Sequence, residues 1–335
     1  MLGLILLVVL VVLGLVAYVQ TPSGGARVLA FGVQAANEAL AGKLSAGSLL
    51  IQGGHIVLRD VTLESPEGER VAHVDVVEVR VSLLGLIGKR VHLSLVRLEH
   101  PEVWLTLDEE GSNLGRAVAA KHPKPPQPSS GPLPFTFLVD DFTLERGAVR
   151  VVQGSGKEAR KVALTGLGLH GAGRYAGPTS AFDGKVDGRA AVSGLLEGPL
   201  RLAVQGKGDE KSLEADVDLG LAGLVLKGSG SKKGTAMQAR LDRLVVPPSV
   251  GRALTPSWTP SVPVELSGEG GLDGDAARAD LRGRAGTAEL ALQARGDVKA
   301  ARVDRGHVEL RHVNLSQLLA DGPVSDLALT ADVRG

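Results

Sequence analysis

The feature that most constrains this chain is a period-two alternation of aliphatic and polar residues, which recurs from Leu49 onward. In one example, Val91 and Leu93 alternate with His92 and Ser94. Successive side chains of a strand point to opposite faces, so each such run predicts a strand with one aliphatic and one polar face. The same pattern predicts strands at Phe135–Leu144, Val149–Val152, Val186–Val192, Leu200–Val204, Leu213–Leu221, Leu224–Leu226, Leu290–Ala294, Val308–Leu310 and Leu327–Val333.

Helices long enough to cover a sheet are not predicted beyond residue 40. The spacing of apolar residues over Arg27–Leu40 predicts one short helix, and Asn314–Ala320 has room for only about two turns. A sheet with one aliphatic face must bury that face against something. A second sheet, closure into a barrel, another protein and an apolar ligand all remain open at this point.

Composition favours a thin fold over a thick compact core. Glycine accounts for 45 of the 335 residues, whereas there are only five Phe, two Trp and two Tyr. The 37 basic residues balance the 37 acidic ones, which argues against nucleic acid as a partner. The chain contains no cysteine, so disulfides and thiolate chemistry are excluded.

Interruptions in the alternation predict bends and one spacer. The aliphatic positions slip by one residue after Val76, after Leu95 and after Val139, which indicates β-bulges. Residues 122–134 read HPKPPQPSSGPLP, and this density of proline predicts a loop.

The first 20 residues predict a membrane anchor. Leu2 to Val19 contains no charged residue and would span about 27 Å as a helix, close to the thickness of a bilayer core. A clear cleavage site is missing, which favours an anchor over a cleaved signal peptide. The positive charges at Arg27 and Lys43 would place the downstream side in the cytoplasm, but long domains are translocated largely regardless of this bias.

Motifs for catalysis are weak. Residues 166–171 match GxGxxG, but no helix is predicted to follow, as a dinucleotide site requires. His92 and His100 lie on or beside predicted strands without metal-ligand spacing, and the adjacent Asp140 and Asp141 would face opposite sides of a strand. We therefore expect no enzyme activity, no metal site and no cofactor.

An ordered set of features in residues 44–114 resembles the N-terminal region of AsmA/TamB-like proteins. It comprises a GG.I.L.DVTL..P.GE.VA.VD.V.V stretch from Gly53, a SLL.L.G turn at Ser82 to Gly88, and a V.L..V.L..P.V.L.....G.NL stretch from Val91 to Leu114. The resemblance covers roughly residues 1–152. Beyond them the chain agrees only in style, as glycine-rich amphipathic strands.

The resemblance implies an inner-membrane protein of bacteria with most of its chain in the periplasm. It also implies an elongated, curved, mostly antiparallel β-sheet that forms an open hydrophobic groove for phospholipid passing between the two membranes. For the TamB branch it further implies outer-membrane protein assembly with an Omp85-type barrel. The chain is short for that branch, so it is expected to be either an N-terminal part of a longer protein or a small member.

The predicted organisation has five parts: an anchor at 1–20, a short helix and linker at 21–43, an AsmA/TamB-like β domain at 44–121, the proline-rich loop at 122–134 and a continuing glycine-rich groove at 135–335. The residues predicted to line the groove are Val57, Leu63, Val79, Val81, Val91, Leu93, Leu95, Val103, Leu105 and Leu107.

Overall fold

The computed structural model of the chain describes residues 21–82, 88–108, 111–122, 136–154, 159–194, 196–254, 260–319 and 322–334. Two compact units divide the chain, Met1–Pro178 and Thr179–Gly335. The predicted anchor at 1–20, most of the predicted turn at 82–88 and the loop at 123–134 lie outside the described residues. Within the described ranges, no helix is long and apolar enough to cross a membrane.

The described residues of the first unit form two helices and nine strands. The helices are α1 (Pro22–Ala39) and α2 (Asn113–Val118). The strands are β1 (Lys43–Ser45), β2 (Ser48–Gln52), β3 (His55–Glu64), β4 (Arg70–Val81), β5 (Arg90–Glu99), β6 (Glu102–Asp108), β7 (Gly111–Ser112), β8 (Thr136–Gln153) and β9 (Arg160–Ala176).

Helix α1 begins earlier than the apolar spacing predicts. The hydroxyl of Thr21 accepts a hydrogen bond from the backbone N–H of Gly24 (3.1 Å), and Pro22 occupies the first helical turn, which are two favourable features of a helix start. At the other end, the side-chain amide of Asn37 pairs with both the N–H and the C=O of Leu44, at 2.6 and 3.0 Å. This pairing joins the helix to β1.

Strand β8 pairs with three other strands of the first unit, β5, β6 and β9. Strands β5 and β6 follow one another in line, and both pair with β8 in parallel. Strand β4 runs antiparallel to both of them. A parallel pair needs a long crossover, and 27 residues, 109–135, separate the end of β6 from the start of β8.

Residues with a left-handed backbone conformation occur at one level across this sheet. Arg59, Val76, Glu99 and Glu145 are neighbours on successive strands. Three residues that follow members of this row have a positive φ, namely Asp60 at 54°, His100 at 48° and Arg146 at 57°. A bulge inserts a residue and bends the strand. The register of β8 with β9 shifts at Arg146, which is such a bulge. The slips predicted after Leu95 and Val139 lie beside other register shifts, whereas β3 and β4 keep their register around Val76.

The second unit is an antiparallel meander. Its strands are β10 (Ala181–Ser193), β11 (Gly198–Gly208), β12 (Ser212–Leu221), β13 (Leu224–Lys233), β14 (Ala236–Val246), β15 (Val264–Asp273), β16 (Ala276–Ala285), β17 (Ala288–Asp297), β18 (Arg302–Val313) and β19 (Leu327–Arg334). Each strand pairs with the next one along the chain. Two short helices, α3 (Pro248–Leu254) and α4 (Leu315–Leu318), lie in connections, and Gly177–Thr179 form one 3-10 turn.

Fully buried side chains are few among the described residues. The buried aliphatic residues include Val71, Ala117 and Val250, and several of the others are alanines. Most strand residues are instead half-buried. The prediction of a mainly β, mostly antiparallel fold with a thin core is confirmed.

Some strands are longer than the alternation predicts, and others are not predicted at all. Phe135–Leu144 and Val149–Val152 belong to the single strand β8, because the bulge at Arg146 interrupts the pattern without ending the strand. The alternation does not predict β9, β14, β15 or β16. On one face of these strands the residues are often Gly or Ala, as at Ala277 and Ala279 of β16, so the alternation of large aliphatic and polar residues is weak.

Glycine is required at one position of β13 and optional two residues later. A Cβ on Gly228 would lie 2.7 Å from the carbonyl oxygen of Arg240, because β14 bulges beside it, whereas a Cβ on Gly230 would lie 3.7 Å from its nearest neighbour. We expect Gly228→Ala to lower the free energy of unfolding by about 1–3 kcal/mol through overpacking. Gly230→Ala, the matched control on the same face, should change it little or raise it slightly. Urea unfolding of both variants measures the difference, and equal stability would contradict the register given for β13 and β14.

Candidate functional site

The first unit carries one aliphatic face. Residues directly opposite each other on neighbouring strands point to the same side of a sheet, so the register identifies the rows on each face. One row contains only aliphatic side chains: Leu49, Leu58, Val77, Leu98, Leu144 and Leu169. Beyond the level of Asp60, His100 and Arg146 the same face continues with Leu44, Leu63, Ala72, Val103, Val149 and Leu164.

Eight of the ten residues predicted to line the groove lie on this face. They are Leu63, Val79, Val81, Val91, Leu93, Val103, Leu105 and, at the end of β6, Leu107. Their rows join them to other apolar side chains, such as Phe137 beside Val91 and Val151 beside Leu105.

The other two predicted residues lie in rows that contain charged side chains. Val57 is opposite Glu78, and Leu95 is opposite Arg80. For Leu95 the reason is the bulge, since Arg80 and Val81 pair with Leu95 and Leu93 and leave Ser94 as the additional residue. For Val57 the reason is that it stands between Ile56 and Leu58, where three successive aliphatic residues conceal the alternation.

A row of leucines crosses the second unit. These side chains occupy matching positions on eight strands, and only Gly283 of β16 interrupts them between β11 and β19. The members of this leucine row are Leu202, Leu219, Leu226, Leu244, Leu266, Leu290, Leu310 and Leu329. At about 4.8 Å per strand, nine strands form an aliphatic strip about 40 Å long.

Three further rows share the face of the leucine row. Next to it lies a row that includes Val204, Val217, Leu281 and Leu292. Beyond that row, four residues from the leucine row along most strands and five along the bulged β14, lies the small-residue row, made of Gly184, Gly206, Ala215, Gly230, Ala239, Gly270, Ala279, Ala294 and Gly306. Beyond it lies the rim row, whose larger members are Phe182, Leu213, Lys232, Met237, Leu272 and Val303. The small-residue row therefore forms a depression between two rows of larger side chains.

The two ends of this face differ in exposure. Ala285 and Ala288, next to the leucine row at one end of their strands, are 9% and 8% exposed, and the nearby connection contains the fully buried Val250 and Pro260. At the other end the rim row is open, with Met237 43% exposed. The face is thus covered on one side and open to solvent on the other.

Sequence reasoning predicted a continuing groove at 135–335 but named none of the residues that line it. The predicted groove residues end at Leu107, although leucines recur at the same phase in β12, β13, β17 and β18. These leucines can be assigned to one face only once the register between strands is known, because bulges beside Asp242 and Asp304 shift the alternation within β14 and β18.

The opposite face of the second unit is charged and internally paired. Glu265, Arg284, Glu289 and Arg311 stand opposite one another on four strands, with alternating sign. They line a depression of about 540 Å³. Opposite charges at facing positions stabilise a sheet, so the pairs account for this surface without a ligand.

Histidines on the charged faces lie beside carboxylates. His92 Nε2 is 2.6 Å from Asp140, and His100 Nδ1 is 3.0 Å from Asp75. In the second unit, His307 Nδ1 is 2.8 Å from Asp332. Among the described residues no group of three such side chains is placed to hold a metal ion.

Ion pairs shift two basic groups on the charged faces. Hydrogen bonding to Glu145 raises the pKa of Arg97, whose guanidinium lies 3.0 and 3.1 Å from the two carboxylate oxygens. Hydrogen bonding to Glu214 likewise raises the pKa of Lys207. Both pairs hold neighbouring strands together, and neither provides a group poised for proton transfer.

The turn between β11 and β12 contains a capping carboxylate. Asp209 accepts hydrogen bonds from the backbone N–H groups of Lys211 and Ser212, both at 2.8 Å, and these bonds lower its pKa. A carboxyl whose pKa is depressed on folding stabilises the fold above its unfolded pKa, and this stabilisation is lost as the pH falls through the folded value.

We expect Asp209→Ala to lower the urea midpoint of unfolding at pH 7. Its difference from the parent protein should shrink as the pH falls below about 3.9, the ordinary pKa of Asp. Asp275→Ala, in the turn between β15 and β16, is the control, since its carboxylate makes no hydrogen bond within the described residues. A difference that stays constant down to acidic pH would show that the carboxylate charge of Asp209 does not stabilise the turn.

The fold defines a mainly β protein whose mostly antiparallel strands present an aliphatic face and a charged face in each unit. Comparison with family models identifies it further, because the AsmA family model matches residues 1–166. The match covers just under half of the 335 residues, so the N-terminal part of the chain is similar to the AsmA family. A search of curated proteins finds no significant match.

Proposed function

We propose that this protein carries phospholipid along its aliphatic sheet faces, between the inner and outer membranes of a bacterial envelope. The observation that carries the proposal is the almost entirely apolar character of those faces, together with their partial exposure. The leucine row alone crosses nine strands, and its last member, Leu329, is 54% exposed.

Lipid is a suitable occupant for a face of this kind. Each CH₂ group removed from water contributes about 0.8 kcal/mol, so an acyl chain cannot cross water freely but can move along a continuous aliphatic strip. Such movement needs no reacting residue. The few aromatic side chains and the small-residue row leave a smooth surface, which lets a chain slide without a fixed binding position.

Similarity of residues 1–166 to the AsmA family supports the proposed location. We infer that residues 1–20 anchor the chain in the inner membrane and that the two β units lie in the periplasm. The apolar run before residue 20 and the family match from residue 1 both support this arrangement.

A second proposal is a scaffold that assembles outer-membrane proteins with an Omp85-type barrel. It has the support of the family resemblance and of β19, all of whose residues are exposed. An exposed strand can accept a partner strand by β-augmentation. Crosslinking that captures a barrel protein and no lipid would favour this proposal over lipid transport.

Charge on the aliphatic face should abolish lipid contact in the first unit. We expect Leu93→Glu and Leu105→Glu each to reduce lipid capture strongly, because a carboxylate next to an acyl chain loses hydration without a partner. Ser94→Glu and Thr106→Glu are matched controls, since each changes the adjacent residue. Thr106 points to the other face, and Ser94 is the additional residue of a bulge.

The measurement uses photocrosslinking amino acids at Val91 and Val103 of the full-length protein in cells, followed by mass spectrometry of the adducts. Circular dichroism establishes that each variant is folded. Absence of phospholipid adducts from both positions in the folded parent protein would contradict the lipid proposal.

A further inference from the structure

The aliphatic face of the second unit contains one charged side chain within the leucine, small-residue and rim rows. That residue is Lys232, in the rim row. Its direct neighbours across β12 and β14 are Leu213 and Met237, and Gly230 of the small-residue row precedes it by two positions. A lysine at this place departs from a pattern that is otherwise kept across ten strands.

The ammonium group of Lys232 has no ion-pair partner within the described part of the chain. Two lysines on the charged face of the same unit do form ion pairs. Lys207 Nζ lies 2.9 Å from Glu214, and Lys227 Nζ lies 2.6 Å from Asp218. Lys232 is exposed, so its charge is available to a group that enters from the open side of the face.

The position of Lys232 matches the shape of an amphiphile. A lysine side chain can lay its methylene stem along apolar surface while its charged end stays in water. Here the stem lies beside the side chains of Leu213 and Met237, and the depression of the small-residue row lies immediately inside the rim. An acyl chain in that depression would place an attached headgroup at the level of the Lys232 ammonium.

We propose that Lys232 binds the headgroup of an anionic phospholipid whose acyl chains occupy the small-residue row. This inference rests on the proposed lipid-carrying function and adds a preference for negatively charged headgroups. The choice of occupant follows from charge complementarity. An uncharged apolar segment of a protein on this face would bury the lysine without a partner, which is unfavourable.

The chain supplies a matched control in the next residue. Lys233 points to the opposite face, where its register partners are Ser212 and Ala236. Lys232→Met removes the charge from the aliphatic face and keeps a long unbranched side chain. Lys233→Met removes the same charge from the other side of the same strand, and Lys232→Arg keeps the charge.

The experiment is native mass spectrometry of the full chain in detergent, incubated with an equimolar mixture of dioleoyl phosphatidylglycerol and dioleoyl phosphatidylcholine. The acyl chains are identical, so the ratio of the two adducts reports the headgroup alone. We expect the parent protein to favour phosphatidylglycerol by about two- to fivefold, the range expected of one exposed ion pair. Lys232→Met should bring the ratio close to one, whereas Lys233→Met and Lys232→Arg should preserve the preference.

The outcomes distinguish this inference from the function on which it rests. If lipid binds but Lys232→Met leaves the ratio unchanged, the headgroup role of Lys232 is wrong and lipid carriage stands. If both lysine variants lose the preference equally, the effect is one of net charge, and the inference is again wrong. If neither lipid binds the parent protein, or a second copy of the chain occupies the face instead, both the inference and the proposed function are overturned.

Discussion

The structure depends on the register between neighbouring strands. Alternation within one strand produces two chemically different sides, but only hydrogen-bonded pairing aligns those sides from strand to strand. A slip of one residue would turn a whole strand over and place charged side chains among the leucines. In the second unit this register holds from Leu202 on β11 to Leu329 on β19, so a local backbone interaction produces an aliphatic strip about 40 Å long.

Where the alternation in the sequence slips by one residue, a bulge keeps the aliphatic side chains of that strand on the same face as those of its neighbours. In β8 the aliphatic positions change phase after Leu144, and Arg146 takes a φ of 57° at this point. The additional residue returns Gly147 and Val149 to the face that Leu144 occupies, opposite Leu167 and Leu164 of β9. An apparent error in the alternation is therefore the means by which the sheet bends while its aliphatic face stays continuous.

This relation explains which parts of the structure the sequence could predict. The fold class follows from the alternation and from the lack of long helices, and eight of the ten predicted groove residues share one face because each lies in an unbroken run. Val57 and Leu95 do not, since a triple of aliphatic residues and a bulge conceal their phase. The face of the second unit was harder to predict, because Gly and Ala fill a complete row and their contribution is visible only from the pairing of β10 to β18.

The thin core has a consequence for stability. Within each unit the described strands gain little from fully buried side chains, so they depend largely on backbone hydrogen bonds and half-buried aliphatic contacts. Partly exposed cross-strand pairs such as Arg97 with Glu145 add a small contribution. An aliphatic face left half-exposed forgoes the free energy that a compact domain gains by burying it. A ligand that binds the folded chain but not the unfolded chain raises the free energy of unfolding. This increase grows with the logarithm of the ligand concentration. Exposure of the face is consequently a cost to the empty protein, and the proposed lipid would offset that cost by covering the same rows of residues.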